Sequence, residues 1–177
     1  MDAYGDKGGE MEGKKVRDSS VVIAQVMVFQ DVNPAGNVHG GVIMKHIDTT
    51  AGVVASRHAR LNVVTASIDR LDFHCPVFVG DLLSFKGSLN MVGKTSMEVG
   101  VRVEAENIKT GEVRHTASAY LTFVALDKDN VPAAIPPLIL ETEEEFRRNR
   151  EAITRREMRL TERRREVKCQ IDPGSCK

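Results

Sequence analysis

Gly40-Gly41 and Asp48 stand at a spacing that suits attack on a carbonyl carbon. The paired glycines open a stretch of helical periodicity, where unobstructed backbone N–H groups and the helix dipole receive developing negative charge. Asp48, two turns further along, puts a carboxylate within reach of whatever those donors hold. At about 100° per residue, Ile43, Met44, Ile47, Ala51, Val54 and Ala55 fall on one arc. Lys45, Thr49 and Ser56 fall on another. Asp48 lies at the edge of the apolar arc, on the side of Gly41, Met44, Gly52 and Ala55, and the glycines there admit a second backbone or a flat ligand. A mid-helix aspartate is also commonly no more than solvated. On these residues alone both readings stand.

The other chemistry-bearing residues carry weaker patterns. Asn33, before Pro34, is accounted for by ordinary turn chemistry. His39 caps or packs at the helix start, His46 lies on the more polar arc, and His58 sits near the helix C-terminus, where a cation is favourable. His74 and His115 have no partner pattern. The histidines keep no metal-binding spacing, and no Gly-x-Ser-x-Gly elbow exists for a serine nucleophile. Metal and serine chemistry are therefore disfavoured. Gly93-Lys94-Thr95-Ser96 lacks the upstream glycine of a P-loop and reads as a hairpin turn, one that can offer a phosphate contact at the mouth of a site.

The elements that must position these residues follow from patterning. A strand is expected from about Ser20 to Phe29, then a loop with the turn signals Asn33-Pro34 and Gly36-Asn37, then a helix from Gly40 to about His58. Four strand-like segments follow, near Val63–Phe73, Leu82–Met91, Ser96–Asn107 and Glu112–Leu126. Their short joins favour an antiparallel meander. Met97, Val99, Val101, Val103 and Ala105 alternate with Ser96, Glu98, Arg102 and Glu104, which predicts one buried and one wet face. The fold class is α+β, a helix lying on one curved antiparallel sheet. Residues 1–17 are expected to be disordered, 18–130 to form the domain, and 131–140 a Pro-containing linker. Residues 141–168 read as a charged helix with acidic residues early and basic ones late, a solvated arm resting lightly on the domain or a neighbour. Residues 169–177 read as a frayed tail.

Composition bounds the function. The chain has 177 residues, 41% hydrophobic and 28% charged, values of a soluble globular protein. A formal charge of zero provides no field for nucleic acid, and scarce aromatics provide no stacking platform for single strands. No run approaches the roughly 18 apolar residues of a membrane helix. Cys75, Cys169 and Cys176 form neither a zinc pattern nor a disulfide framework. With no apolar secretory segment at the start, a cytoplasmic protein is the default expectation.

One ordered series goes further. Asn33-Pro34-Ala35-Gly36-Asn37-Val38-His39-Gly40-Gly41, then Met44-Lys45-His46-Ile47-Asp48, Ala51-Gly52 and Ala55-Ser56-Arg57-His58 resemble the hot-dog-fold acyl-CoA thioesterases. The likeness is greatest to the cytosolic, brain-type hydrolases and their bacterial single-domain relatives. Val64-Thr65-Ala66-Ser67-Ile68-Asp69, Asp72-Phe73, Gly80-Asp81, Lys94-Thr95-Ser96-Met97-Glu98-Val99, Ala117-Ser118-Ala119, Phe123-Val124 and Val131-Pro132 extend it over about Ser20 to Pro137. The resemblance implies a helix wrapped by its sheet, edge-to-edge dimers, and assembly of dimers into hexamers. It implies acyl-CoA as substrate and no cofactor beyond it. Asp48 would be general base or nucleophile, Asn33, from a different subunit, would orient water or the thioester carbonyl, and Gly41 with Gly40 would donate N–H groups to the oxyanion. Arg57, Lys94, Thr95 and Ser96 would contact coenzyme A. The same fold also serves acyl-CoA-sensing modules and dehydratases, so those remain alternatives; a dehydratase would be expected to use a histidine where Asp48 stands.

Overall fold

The computed structural model describes residues 11–171. In chain order the elements are β1 (Lys14–Lys15), α1 (Val16–Ser19), β2 (Val21–Val26), a 3-10 turn (Phe29–Asp31), α2 (Gly40–Ala59), β3 (Asn62–Phe73), β4 (Asp81–Val92), β5 (Ser96–Asn107), β6 (Glu112–Leu126), β7 (Leu138–Ile139) and α3 (Glu143–Ile171). Strands β2 to β6 form one antiparallel sheet in the order β2-β4-β5-β6-β3. Helix α2 lies along one face of that sheet. Ile43, Ile47, Ala51, Val54 and Ala55 bury against Leu83, Phe85, Leu89, Met97, Val99, Val103 and Leu121. Met44, expected on the same buried arc, is exposed instead. Gly87 lets the helix approach: a Cβ there would stand 2.9 Å from Thr50 Cγ2 and 3.0 Å from Val54 Cγ2.

The meander expectation fails at its first join. β3 pairs with β6, not with the β4 that follows it. Three strand spacings of about 4.8 Å separate β3 from β4, roughly 14 Å, and the seven residues 74–80 can reach about 23 Å when extended. A short loop therefore did not have to join neighbours, and β3 became the edge strand that runs beside α2.

Both ends of the described chain are more ordered than their composition implies. Lys14–Lys15 pairs in parallel with Leu138–Ile139, and Val16 is buried, within a stretch expected to be disordered through residue 17. The expected linker thus supplies a strand. Met1–Glu10 and residues 172–177, the latter most of the expected frayed tail, lie outside the described residues.

Helix α3 is not a solvated arm. It crosses the outer face of the sheet, and its contact stripe is polar: Arg148, Asn149, Ala152, Arg155 and Arg159, at helical spacing. Arg155 donates from Nε and Nη2 to the two carboxylate oxygens of Glu98, at 3.1 and 2.6 Å, and lies 3.8 Å over the Tyr120 ring. Glu98 is 0% exposed and also accepts from Asn90 Nδ2. The predicted wet face of β5 is therefore covered at this end. Asn149 donates to the Asn90 carbonyl and Arg148 to Ser88 Oγ. The apolar residues Phe146, Ile153, Met158 and Leu160 remain exposed.

Candidate active site

Helix α2 starts with a side-chain cap. His39 Nδ1 accepts the Gly41 N–H at 2.9 Å, satisfying one of the donors a helix start leaves open. Gly40 lines a cleft of about 370 Å³ together with Asn33, Phe73, His74 and Cys75. Asn33 Oδ1 accepts from the N–H groups of Ala35 and Asn37, at 2.9 and 3.3 Å. The turn reading of this residue is therefore real, and its amide nitrogen is the group left over for other work.

Asp48 lies eight residues beyond Gly40, about 12 Å along the helix axis. It is half-buried, and its Oδ1 accepts the Thr65 hydroxyl at 2.7 Å. Among the described residues Thr65 is its one hydrogen-bond partner. Gly52, one turn on, leaves room over Phe123, which pairs with Thr65 across β6 and β3. The carboxylate is thus held against β3, the edge strand of the sheet, one helical turn after exposed Met44.

The remaining candidates divide. Ser96 and Met97 pair with Val124 and Phe123, which pair in turn with Val64 and Thr65. The Lys94-Thr95-Ser96 hairpin therefore sits at the Thr65 end of the sheet, two strands or about 10 Å away. Lys94 is exposed there. Arg57 is engaged elsewhere, its guanidinium donating to the carbonyls of Ser20 and Asp18 and so tying α2 to the chain's first turn. It stands about 24 Å along α2 from Gly41. His58, expected as a favourable cation, is 0% exposed; burial lowers its pKa, outweighing the hydrogen bond its Nε2–H donates to the Pro136 carbonyl. Lys14 supplies the charge at this helix end, donating to the His58 carbonyl at 2.6 Å. Among the described residues no three of His, Cys, Asp and Glu gather as a metal-binding group, and no helix is long and apolar enough to cross a membrane.

Comparison with known proteins decides the family. The thioesterase superfamily pattern matches residues 35–112, a span that includes Gly40, Gly41, Asp48 and Thr65. YkhA of Bacillus subtilis, named as an uncharacterised acyl-CoA thioester hydrolase, is 37% identical over 86% of this chain and 89% of its own. The chain belongs to the thioesterase superfamily. A solved apo-hexameric acyl-CoA thioesterase is 38% identical and superposes with a TM-score of 0.83, covering 86% of this chain and 97% of its own. The acyl-CoA hydrolase of Staphylococcus aureus, solved with butyryl coenzyme A, coenzyme A and coenzyme A disulfide, is 34% identical with a TM-score of 0.82 over 90% and 96%. Alanine variants of that enzyme have been solved at an aspartate, at an asparagine 15 residues before it and at a threonine 17 residues after it. Asn33, Asp48 and Thr65 keep the same intervals here. Thr65 is the residue that sequence reading left without a role. A hydroxyl on the strand following the helix was visible, but its register against Asp48 was not.

Proposed function

We propose that the protein hydrolyses acyl-CoA thioesters to a free fatty acid and coenzyme A, at sites completed by two subunits. The observation that carries the reading is the Asp48 carboxylate held by Thr65 at an open sheet edge. Asp48 acts as general base on water, or as nucleophile through an anhydride. In the base route, the water proton passes to Asp48 as the oxygen attacks the thioester carbonyl. The oxyanion is held by backbone donors at the start of α2, Gly40 and, once substrate displaces His39 Nδ1, Gly41. The C–S bond then breaks and the thiolate takes up a proton.

The 12 Å between Asp48 and the Asn33–Gly40 end of the same helix favours pairing one subunit's Asp48 with the other's Asn33 and glycines. β3 has an unpaired edge and exposed Val64, Ile68 and Phe73, which supports edge-to-edge association through that strand. A trimer of such dimers matches the hexamer known for a relative. The exposed Lys94, with Thr95 and Ser96, is suited to coenzyme A phosphate or pantetheine. A cytoplasmic location fits this substrate.

Thiol release from a panel of acyl-CoA chain lengths tests the activity; binding without release would favour a sensing module instead. The two-subunit site is tested by mixing. Asn33→Ala and Asp48→Ala, each inactive alone, should recover roughly a quarter of wild-type activity after subunit exchange, since half the dimers carry one intact site of two. Persistent inactivity despite demonstrated exchange rejects the shared site and leaves hydrolysis standing.

A further inference from the structure

The edge strand that carries Thr65 is irregular where it matters. In the β3–β6 ladder Thr65 pairs with Phe123 but Ser67 pairs with Thr122, and Ile68 pairs with Leu121 but Arg70 with Tyr120. Ala66 and Asp69 are thus extra residues in a double bulge. The first bulge reverses the facing of the strand. Simple alternation would put Thr65 and Ser67 on one face; instead Thr65 lies opposite buried Phe123 on the α2 side, and Ser67 lies opposite Thr122 on the α3 side.

Asp69 holds that bulge together. One carboxylate oxygen accepts the Ser67 hydroxyl, and the other accepts Thr122 Oγ1 of β6 at 3.1 Å and the guanidinium of Arg159 of α3. Its side chain is almost fully covered. One helical turn earlier on α3, Arg155 pairs with Glu98 of β5. A chain of contacts therefore runs from α3 through Asp69 and the bulge to the hydroxyl that bonds Asp48.

We infer that Asp69, clamped by Arg159, is a positioning residue for hydrolysis: it fixes the bulge that aims the Thr65 hydroxyl at Asp48. This rests on the reading of Asp48 and Thr65 as the working pair. Without the clamp, β3 can relax toward regular alternation and carry the Thr65 oxygen out of hydrogen-bond range. A displacement of about 1 Å at a reacting pair costs up to ~10²-fold in rate.

Steady-state kinetics on the assembled enzyme tests this with Arg159→Ala, Asp69→Ala, Thr65→Val and the double variants. Arg159→Ala and Asp69→Ala should lower kcat by about tenfold with KM within about twofold, and Arg159→Lys should restore part of the loss. In the Thr65→Val background the additional loss should vanish, because the clamp acts through that hydroxyl. Should Asp69→Ala not fold, Arg159→Ala alone carries the test, with thermal midpoints recorded beside kcat. An unchanged kcat, a loss of midpoint without loss of kcat, or losses that multiply in the double variant overturn the positioning role. An unchanged kcat in Thr65→Val overturns instead the assignment of the pair on which it rests.

Discussion

In the proposed reaction the carbonyl chemistry falls to Asp48, whose Oδ1 is bound by Thr65 Oγ1. Asp48→Ala should therefore lower kcat by about 10²–10⁴ while leaving the fold and acyl-CoA binding intact, as read by thiol release, circular dichroism and equilibrium binding of a non-hydrolysable analogue. Turnover at the wild-type rate would make the carboxylate structural. The carboxylate and the glycines were legible in the sequence because helical periodicity places them without reference to any other element. Thr65 was not, because its place against Asp48 depends on the register of β3 beside the helix. The contacts of Arg57 were equally invisible, since its acceptors are backbone carbonyls of a turn 37 and 39 residues away.

At the scale of elements, α3 shows where hydrophobic patterning misleads. Its exposed Phe146, Ile153, Met158 and Leu160 are not what docks it; an arginine stripe around buried Ala152 does. Glu98 is fully covered and Arg155 supplies its countercharge. Arg155→Ala leaves a buried carboxylate without that partner and should destabilise the protein by about 3 kcal/mol, within the usual range for breaking such a pair. Arg155→Ala with Glu98→Gln should recover much of that loss, because the neutral amide needs no countercharge. Chemical denaturation of both variants beside the wild type checks this; equal losses in the single and double variants would mean the pair contributes through packing alone.

For the whole molecule, acid stability reports the closure of its two ends. Burial holds the His58 pKa below the ordinary 6.5 despite the hydrogen bond from its Nε2–H to the Pro136 carbonyl, so the native state resists protonation of this ring. The unfolded chain takes the proton first on acidification. His58's share of stability is thus complete above about 6.5 and is lost as pH falls toward the lower native value. His115, also lowered by burial, adds in the same direction. Glu104 and Glu141 are held low by Lys86 with Arg102 and by Lys15, and their shares are lost only below the ordinary carboxylate value of 4.5. Between about pH 7 and 5 the thermal midpoint should fall in the wild type and fall less steeply in His58→Gln. Parallel slopes in the two proteins would remove His58 from the account.

The sequence by itself determined what is local. Strand and helix periods, the glycine pair at the α2 start, Asp48 on its helix edge and a linear series of residues sufficient to place the family all depend on neighbours within a few turns. Tertiary structure alone decided the rest: β3 at the sheet edge, Thr65 turned to Asp48, Lys14–Lys15 paired with Leu138–Ile139, and α3 bound through Glu98 and Asp69. Each of these joins groups far apart in the chain. A hydrogen bond or ion pair across such a distance leaves no period to read, because its partner's identity is fixed by register and approach, not by spacing.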